Sequence, residues 1–574
     1  MPPFPMGQPS LRSMASSPSA VATATPSAGS DLLDDQWTSS LTSGLAGLVL
    51  VWYVVMWAIS GLGLSVAIRR YRPRPVAPPL DTPTPKPGVS ILRPLKGLDP
   101  NLYENLLSSF TQDYPGPLEI IFSLADENDR ALGVVRELID RFGAREGRED
   151  GVDVRVVVGE TPLGPNPKIN NLAKPFALAK YDHLWVLDSG ILLPSRQTLS
   201  RAIDQFLLNP GPSSSVSSTS YLPSSGHKTE KQRVGLVHHV PFAVIPPRGN
   251  RPLGSWLERV FLNGNHAKMY LAINKLSTSS SSSSSLMCNR RTNPDELTDA
   301  TFWDSKLKPS YRTELDSCVM GKSNFYLKSD VQKIIPGRKP PNPASNPPPI
   351  LGLASFSPYL AEDNMLALSL MHQLSIRHSI ETPDVAINLI GPMTFRDYFW
   401  RRVRWIRVRK EMTKAATLVE PLTESVVLGF LTFWALRTYL SESFFGNLVW
   451  WKAFLAFWII HWTSWATLDW KVMTSLSPTP SEESGERFQL LGAWMIRECL
   501  AFPVWVVAMM GNTVEWRGRT YVVLPDGKAK EVQNGDGNGV EEVEAGERST
   551  MFAWFRSRRR QQAQGLGYER ISSS

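Results

Sequence analysis

The sequence predicts an α/β domain that lies between membrane-associated segments. From about residue 87 to residue 390, short apolar runs alternate with helical stretches, which is the pattern of a layered α/β structure. An uncharged, mostly apolar run at 45–68 precedes this region, and three apolar tracts follow it. At 574 residues, the chain is long enough for two or three domains.

The first half of the α/β region contains the clearest strand patterns. Strands are predicted at 89–92, Leu118–Leu124, 152–159 and His183–Leu187, with a helix at 101–110 after the first. Open α/β sheets bind ligands outside the carboxyl ends of their strands. Polar side chains that follow these strands directly are therefore candidate site residues.

Residues 45–68 predict a transmembrane anchor, since about 20 apolar residues cross the hydrocarbon core of a bilayer. A cleaved signal peptide is the alternative, but the run starts too far along the chain, is too long and lacks a cleavage-type ending. The run is preceded by Asp31, Asp34 and Asp35 and followed by Arg69, Arg70, Arg72 and Arg74. The positive-inside rule therefore predicts a lumenal N-terminus, disordered over 1–44, and a cytosolic domain.

Three further apolar tracts lie at 425–436, 448–468 and 499–511. The first is twelve residues long and closed by Arg437, the second is longer but contains Lys452 and His461, and the third follows the charged pair at 497–498. Twelve of the 19 tryptophans lie between Trp400 and Trp516, a density typical of segments whose rings sit at headgroup level. Buried core helices are the alternative for runs of this length. The sequence thus predicts membrane association here and leaves open which tracts cross the bilayer.

Composition narrows the cellular setting. The net charge of +8 is compatible with a membrane surface or a phosphate-bearing ligand, and an ordinary solvated basic face explains it nearly as well. Cys288, Cys318 and Cys499 lie far apart, so neither a disulfide framework nor a paired zinc motif is present in the sequence. This cysteine usage fits a chain that faces the reducing cytosol.

The predicted organisation divides the chain into segments. A catalytic domain covers 87–395 and contains low-complexity inserts, predicted as surface loops, at 210–233, 277–312 and 336–349. A basic interfacial segment follows at 396–415, then C-terminal membrane helices at 416–521 and a polar tail at 522–574.

Three groups of carboxylates follow predicted elements. Asp126 comes after the second strand and Asp188 directly after the fourth, while Glu362 and Asp363 begin a helical run. Taken singly, each is explained by a turn or a helix cap. Taken as a site, Asp188 suits a hard cation on a diphosphate, and one carboxylate of the pair suits a general base.

A basic stretch, Arg401-Arg402-Val403-Arg404-Trp405, follows the carboxylates. Guanidinium forks suit a diphosphate clamp, whereas an interfacial helix that extends its arginines to lipid headgroups is the structural alternative.

The ordered set resembles the membrane-embedded inverting nucleotide-sugar transferases of GT-A fold, which include cellulose, chitin and hyaluronan synthases. Particular strings resemble the ceramide glucosyltransferase family within this group: LRPLKGLDPNL at 92–102, NPKINNL at 166–172, DSGI at 188–191, GLVH at 235–238, IRE at 496–498 and WRGR at 516–519. The resemblance runs from about residue 89 to residue 521 and is interrupted by the inserts.

The resemblance implies a direct displacement that transfers glucose from UDP-glucose to the primary hydroxyl of ceramide, with Asp363 as the base. It implies a donor site formed by Asp126 at uridine, Asp188 at the diphosphate, and Lys168, Asn170, Arg401, Arg404 and Trp405. His266 and Glu362 would line the acceptor site, although a lone histidine is more often a hydrogen-bonding core residue.

The implied cofactor is Mg²⁺ or Mn²⁺ at Asp188. One departure bears on it: the motif is Asp-Ser-Gly and not the Asp-x-Asp common in GT-A enzymes, so only one carboxylate is available. The implied partners are UDP-glucose, ceramide and the bilayer, without nucleic acid, and a homo-oligomer stays open.

The implied location is the Golgi or endoplasmic reticulum, with the catalytic domain facing the cytosol. Two alternatives remain: a processive polysaccharide synthase that uses a UDP-sugar, and a non-catalytic membrane scaffold with a transferase fold.

Overall fold

The computed structural model describes residues 28–71, 86–143, 152–209, 232–246, 250–287, 316, 318–342, 345, 348–381, 383–440, 450–478, 486–516 and 518–532. The first 27 residues, most of the predicted insert at 210–233, the part of the predicted insert 277–312 that follows residue 287, and the tail after 532 lie outside the described residues.

A seven-stranded mixed sheet forms the centre of the α/β domain. Its first four strands are parallel in the order β3-β2-β1-β4, where β1 is Val89–Leu95, β2 is Leu118–Leu124, β3 is Asp153–Val158 and β4 is His183–Leu187. The order continues with β8 (Ser323–Leu327), β6 (Val234–His238) and β9 (Arg377–Ile380), and β8 is antiparallel to both of its neighbours. The four predicted strands are confirmed.

Helices cover both faces of this sheet, as the alternating side chains of its strands require. Ile91 and Ile120 pack towards α2 (Leu102–Phe110), α3 (Ala131–Phe142) and α5 (Thr198–Leu207). Their neighbours Leu92 and Ile121 pack on the opposite face against α4 (Pro167–Leu178), α8 (Lys328–Val331) and α9 (Glu362–Leu374). The α/β class predicted from the sequence is confirmed.

Two smaller sheets complete the domain. One has the order β5-β10-β7, formed by Ile191–Leu192, Ala386–Leu389 and Pro241–Val244. The other is the antiparallel meander β11 (Thr513–Trp516), β12 (Arg519–Val523) and β13 (Ala529–Glu531). This C-terminal meander contacts both α10 (Phe395–Lys410) and the segment before α9. Arg407 Nη1 donates to the Thr513 carbonyl at 2.7 Å, and the Ala529 N–H donates to the Pro358 carbonyl at 2.8 Å.

The N-terminal helix α1 spans Ala28–Tyr71, and its segment Thr38–Tyr71 is long and apolar enough to cross a membrane. The predicted disorder of 1–44 is therefore wrong for 28–44, because extending an existing helix costs far less than starting one. Helix α1 packs closely on α7 (Ala267–Met287). A Cβ at Gly63 would lie 2.1 Å from the Lys268 carbonyl oxygen, so this crossing requires glycine.

Helix α7 also corrects one predicted loop. The serine run at 277–285 is helical through Met287 and does not form a surface loop from residue 277. The helix starts from a buried, packed segment that contains Tyr270 and Leu271, and serine has sufficient helix propensity to continue it. Before α7 lie α6 (Leu253–Val260) and one π-helical segment, Phe261–His266.

The C-terminal helices are longer than the apolar tracts suggest. They are α11 (Lys414–Val419), α12 (Ser425–Tyr439), α13 (Trp450–Leu476) and α14 (Arg487–Met509), with a 3₁₀ turn at Glu420–Thr423. Helix α14 is a second candidate span, and its start at Arg487 shows that the predicted tract 499–511 covers only its second half. The Arg497–Glu498 pair that interrupts the pattern is buried and bonded within the protein.

Within the described part of the chain, two helices are long and apolar enough to cross a membrane. A third span is counted if the pair Lys414–Thr423 and Ser425–Tyr439, bent by 68°, acts as one. The chain is accordingly a membrane-associated protein, with a candidate membrane-spanning helix before its central sheet and another after it.

Candidate active site

The Lys168 ammonium group joins the carboxylates that the sequence singles out. Its Nζ lies 2.8 Å from Asp188 Oδ1 and 3.3 Å from Glu362 Oε1, and it donates to the Gly321 carbonyl at 2.8 Å. Helix α4 supplies Lys168, the end of β4 supplies Asp188, and α9 supplies Glu362. Two consecutive elements, α4 and β4, thus meet the distant helix α9 at the carboxyl end of β4.

Asp188 is paired with a second lysine that the sequence analysis did not single out. Lys322 Nζ lies 3.1 Å from Asp188 Oδ2, and the Asp188 N–H donates to the Lys322 carbonyl at 3.1 Å. Burial alone would raise the pKa of Asp188, but Lys168 and Lys322 together outweigh it and lower that pKa to about 2. Asp188 is therefore ionised throughout the physiological range.

Asp363 lies beside this cluster, and its pKa is shifted in the opposite direction from that of Asp188. Burial raises the pKa of its carboxyl group, and the neighbouring Glu362 charge raises it further. Lys168 and the backbone N–H groups of Asn364 and Gly321 offset part of this shift; those N–H groups donate to Asp363 at 2.8 and 2.5 Å. A carboxylate with a raised pKa is a better proton acceptor, which suits general-base work near neutral pH.

Gly321 makes this geometry possible. A Cβ at this position would lie 2.9 Å from Asp363 Oδ2, so a side chain would press against the carboxylate that binds the Gly321 N–H.

Asn166 links the starts of helices α4 and α9, although the sequence assigned it no role in the site. Its side-chain oxygen caps α4 by accepting from the backbone N–H groups of Lys168 at 2.8 Å and Ile169 at 3.3 Å. Its Nδ2 donates to Glu362 Oε2 at 2.8 Å and to the Tyr359 carbonyl at 2.7 Å. One buried side chain therefore sets both the start of α4 and the position of Glu362.

Arg93 lies in β1 and binds the backbone of the turn that begins at Asp188; the sequence did not indicate this role either. This fully buried side chain donates through Nη1 to the carbonyls of Asp188 and Ile191, both at 2.9 Å, and through Nη2 to the Asn105 carbonyl at 2.9 Å. Burial lowers the Arg93 pKa to about 9. An arginine in an apolar strand gives little sequence signal, yet here it fixes the turn that carries Asp188.

The basic helix α10 distributes its side chains over several surfaces. Arg401 Nε lies 2.9 Å from Glu258 Oε1, and Arg404 Nη1 reaches the Glu515 carbonyl at 3.5 Å. Trp405 lies beneath two guanidinium groups, 5.1 Å from Arg401 and 4.8 Å from Arg402. These contacts lead to Glu258, to the meander and to Trp405 rather than to Asp188 or Asp363, so the part of these residues in a donor site stays a prediction.

His266 lies in the π-helical segment between the rings of Phe261 and Tyr270, each 5.5 Å away between ring centroids. Burial, together with the charges of Arg402, Arg409 and Arg497, lowers its pKa to about 3, so the imidazole is neutral. The Tyr270 hydroxyl accepts from the Met320 N–H at 3.4 Å, next to Gly321. The Tyr270 ring therefore lies between His266 and the backbone at Met320 and Gly321, and the Gly321 N–H binds Asp363.

Two other predicted donor-site residues make local contacts. Asp126 Oδ1 accepts from the Asn128 N–H at 2.9 Å within its own turn. Asn170 accepts from the backbone N–H groups of Leu163 and Gly164 at 3.1 and 3.2 Å, which orders the loop before α4. Their contact with a nucleotide stays a prediction.

Comparison with known proteins places the chain in a family. The model of glycosyl transferase family 21 matches residues 50–209 and 350–529, which is more than half of the chain. The chain belongs to glycosyl transferase family 21. It is accordingly a glycosyltransferase enzyme, and the two matched segments contain Asp126, Lys168, Asp188 and Asp363.

Named relatives cover most of this family 21 chain. It is similar to the ceramide glucosyltransferase of Komagataella phaffii, with 31% identity over 535 residues that cover 85% of this chain and 92% of that protein. It is also similar to the ceramide glucosyltransferase of Candida albicans, with 30% identity over 84% of this chain and 97% of that protein.

Two solved structures are among those to which the chain is similar. The mannosyltransferase PcManGT from Pyrobaculum calidifontis, in complex with GDP-Man and Mn²⁺, gives a TM-score of 0.37 at 14% identity over 76% of this chain and 98% of that chain. S. aureus TarS 1–349 in complex with UDP gives a TM-score of 0.26 at 12% identity, covering 78% of this chain and 100% of that chain.

The side chains around Asp188 limit how a metal ion could bind to this family 21 member. Within the described ranges, no three His, Cys, Asp or Glu side chains are grouped to hold an ion. Asp188 has the chemistry of a Mg²⁺ or Mn²⁺ ligand because it stays ionised, but its two oxygens face Lys168 and Lys322. An ion would fit at Asp188 only together with oxygens supplied by a bound ligand.

Proposed function

We propose that this enzyme transfers glucose from UDP-glucose to the primary hydroxyl of ceramide, with inversion at the sugar carbon. The observation that carries the proposal is one cluster at the carboxyl end of β4, in which Lys168 pairs with Asp188 and Glu362. Lys168 also donates to the Gly321 carbonyl, and the Gly321 N–H donates to Asp363. In sequence, the cluster lies between two helices that are long and apolar enough to cross a membrane. The ceramide glucosyltransferases at 30 and 31% identity support the choice of sugar and acceptor.

In the proposed reaction, the acceptor oxygen forms a bond to the sugar's anomeric carbon while the bond from that carbon to the UDP phosphate oxygen breaks. Asp363 takes the proton of the acceptor hydroxyl. Its raised pKa, caused by burial and by Glu362, favours this transfer. Lys168 is proposed to lie on the diphosphate side, where its positive charge stabilises the leaving group, and the ionised Asp188 holds Lys168 there.

A divalent ion, Mg²⁺ or Mn²⁺, belongs to the proposed donor complex, with Asp188 as its protein ligand. Such an ion would supply positive charge to the diphosphate and so promote departure of UDP. In the donor site, Asp126 is proposed to bind uridine, with further contacts to the nucleotide from Asn170, Arg401, Arg404 and Trp405. His266 is proposed to line the acceptor site.

The proposed location is the endoplasmic reticulum or Golgi membrane, with the α/β domain in the cytosol. The arginines that follow α1 support this orientation through the positive-inside rule. UDP-glucose made in the cytosol would then reach the site directly, and ceramide would arrive from the bilayer.

The direct test uses the full-length protein in detergent with isotope-labelled UDP-glucose or UDP-galactose and a short-chain ceramide. Mass spectrometry with chromatographic separation of the epimers should detect glucosylceramide alone. A polymeric sugar product would support a polysaccharide synthase instead, and the absence of any sugar transfer would contradict the proposal.

A further inference from the structure

Lys322 differs from Lys168 in how many of its hydrogen-bond donors are occupied. An ammonium group carries three N–H donors. Lys168 Nζ faces three acceptors, on Asp188, Glu362 and Gly321, so its donors are all engaged. Within the described part of the chain, Lys322 Nζ pairs with Asp188 Oδ2 alone, at 3.1 Å. Two donors of Lys322 therefore remain for a ligand.

The backbone of Lys322 is fixed although its ammonium group is underused. Its carbonyl accepts from the Asp188 N–H at 3.1 Å, and its N–H donates to the Met320 carbonyl at 2.8 Å. The next residue, Ser323, is fully buried, and its hydroxyl bonds to His239 Nδ1 at 2.8 Å and accepts from Trp185 Nε1 at 2.9 Å. The start of β8 is thus held in place by backbone and Ser323 contacts, whereas the Lys322 ammonium group is held by one ion pair with Asp188.

Exposure also distinguishes the two lysines. The side chain of Lys322 is 22% exposed and that of Asp188 is 23% exposed, so the pair is open to a ligand from one side. The side chain of Lys168 is 16% exposed and bridges two carboxylates. A phosphate oxygen that approaches Asp188 from solvent would meet negative charge, unless an adjacent cation turns towards it.

From this geometry we propose that Lys322 binds the diphosphate of the nucleotide donor, as the movable cation of the site, while Lys168 stays as the fixed one. The inference rests on the proposed function only in taking a nucleoside diphosphate sugar as the donor. On binding, the Lys322 ammonium group donates to phosphate oxygens and keeps Asp188 as a near neighbour. Charge-assisted bonds of this kind are shorter and stronger than neutral ones.

The test compares the binding of UDP with the binding of uridine, because only UDP carries the phosphates. Calorimetry on the full-length protein in detergent is done for the parent, Lys322→Met, Lys322→Arg and Lys333→Met, once with excess Mg²⁺ and once with excess EDTA, and the variants are compared in each condition in which the parent binds UDP. Lys333 is a matched control because it is 62% exposed and lies 3.9 Å from Asp330, outside the site.

Lys322→Met should weaken UDP binding at least tenfold and leave uridine binding unchanged, while Lys322→Arg and Lys333→Met should stay within threefold of the parent for both. The inference is overturned if Lys322→Met binds UDP like the parent, or if Lys322→Arg binds UDP no better than Lys322→Met. Different results would contradict the proposed function and the role of Lys322. A parent that binds UDP but does not glucosylate ceramide contradicts the proposed function, whereas an active parent with unchanged UDP affinity in Lys322→Met contradicts this inference alone.

Discussion

Asp188 and Asp363 have the same side chain in opposite surroundings. Two lysines keep Asp188 charged by lowering its pKa to about 2, whereas burial and the adjacent Glu362 raise the pKa of Asp363. Environments that push two carboxyl pKa values apart are a common sign of separate catalytic roles. Here the opposite pKa shifts support the proposed roles of Asp188 at the diphosphate and of Asp363 as the base.

This separation predicts the pH dependence of turnover. Asp363 accepts a proton only when ionised, and its folded-state pKa lies above its ordinary value, so turnover should fall as pH decreases through that raised pKa. The acid limb of kcat should therefore have its midpoint clearly above about 4, the usual aspartate range. Measurement of kcat at saturating substrates from pH 4 to pH 8 checks this. A midpoint at or below the ordinary range would contradict the raised pKa.

At the residue scale, sequence reasoning found side chains at element ends but not those whose roles depend on distant pairing. Asp188 and Asp363 could be predicted from the sequence because one follows a strand and the other lies at the start of a helix. Lys322 was not, since its approach to Asp188 depends on the antiparallel pairing of β8 with β4, where Leu187 pairs with Ser323. No local pattern encodes a pairing between strands so far apart in sequence.

At the element scale, helix α4 depends on one asparagine that performs two functions. The oxygen of Asn166 caps the helix, and its nitrogen holds Glu362 and the Tyr359 carbonyl. Asn166→Ala should remove both and lower stability by about 0.5–2 kcal/mol, the usual cost of losing a cap, together with activity.

Asn166→Asp separates the two functions, because it keeps the capping oxygen but loses the donor to Glu362. It should retain more of the helix stability than Asn166→Ala and still lose at least tenfold in turnover. Thermal unfolding and kcat measured on both variants check this. Normal turnover in Asn166→Asp would show that Asn166 is only a cap.

The helices also show where periodicity stops being informative. The apolar tract 499–511 predicted only part of α14, because Arg497 and Glu498 interrupt the pattern. In the fold these charges neutralise each other at 2.5 Å, and Arg497 also binds Glu424 at 2.8 Å. Likewise, the sequence of α10 does not reveal which of its arginines face the interior, since that depends on packing against α6 and α14.

At the scale of the whole molecule, the central claim about topology is that the α/β domain faces the cytosol. The candidate spanning helix α1 packs directly on α7, and the Tyr270 hydroxyl of α7 accepts from the Met320 N–H next to Gly321. A protease-cleavage site inserted beside the exposed Lys339 should be cut by protease added to sealed microsomes, while a tag at the N-terminus should be protected. Protection of the inserted site together with loss of the N-terminal tag would reverse the orientation.

The proposed reaction requires Asp363 to act as the base, and one pair of variants tests that role. Asp363→Asn keeps the shape of the side chain but cannot accept the proton, so kcat for ceramide glucosylation should fall by about 10²–10⁴-fold. Its affinity for UDP-glucose should stay nearly unchanged, and Glu362→Gln should retain more activity. Normal turnover in Asp363→Asn with an inactive Glu362→Gln would move the base to Glu362, and normal turnover in both would contradict the mechanism.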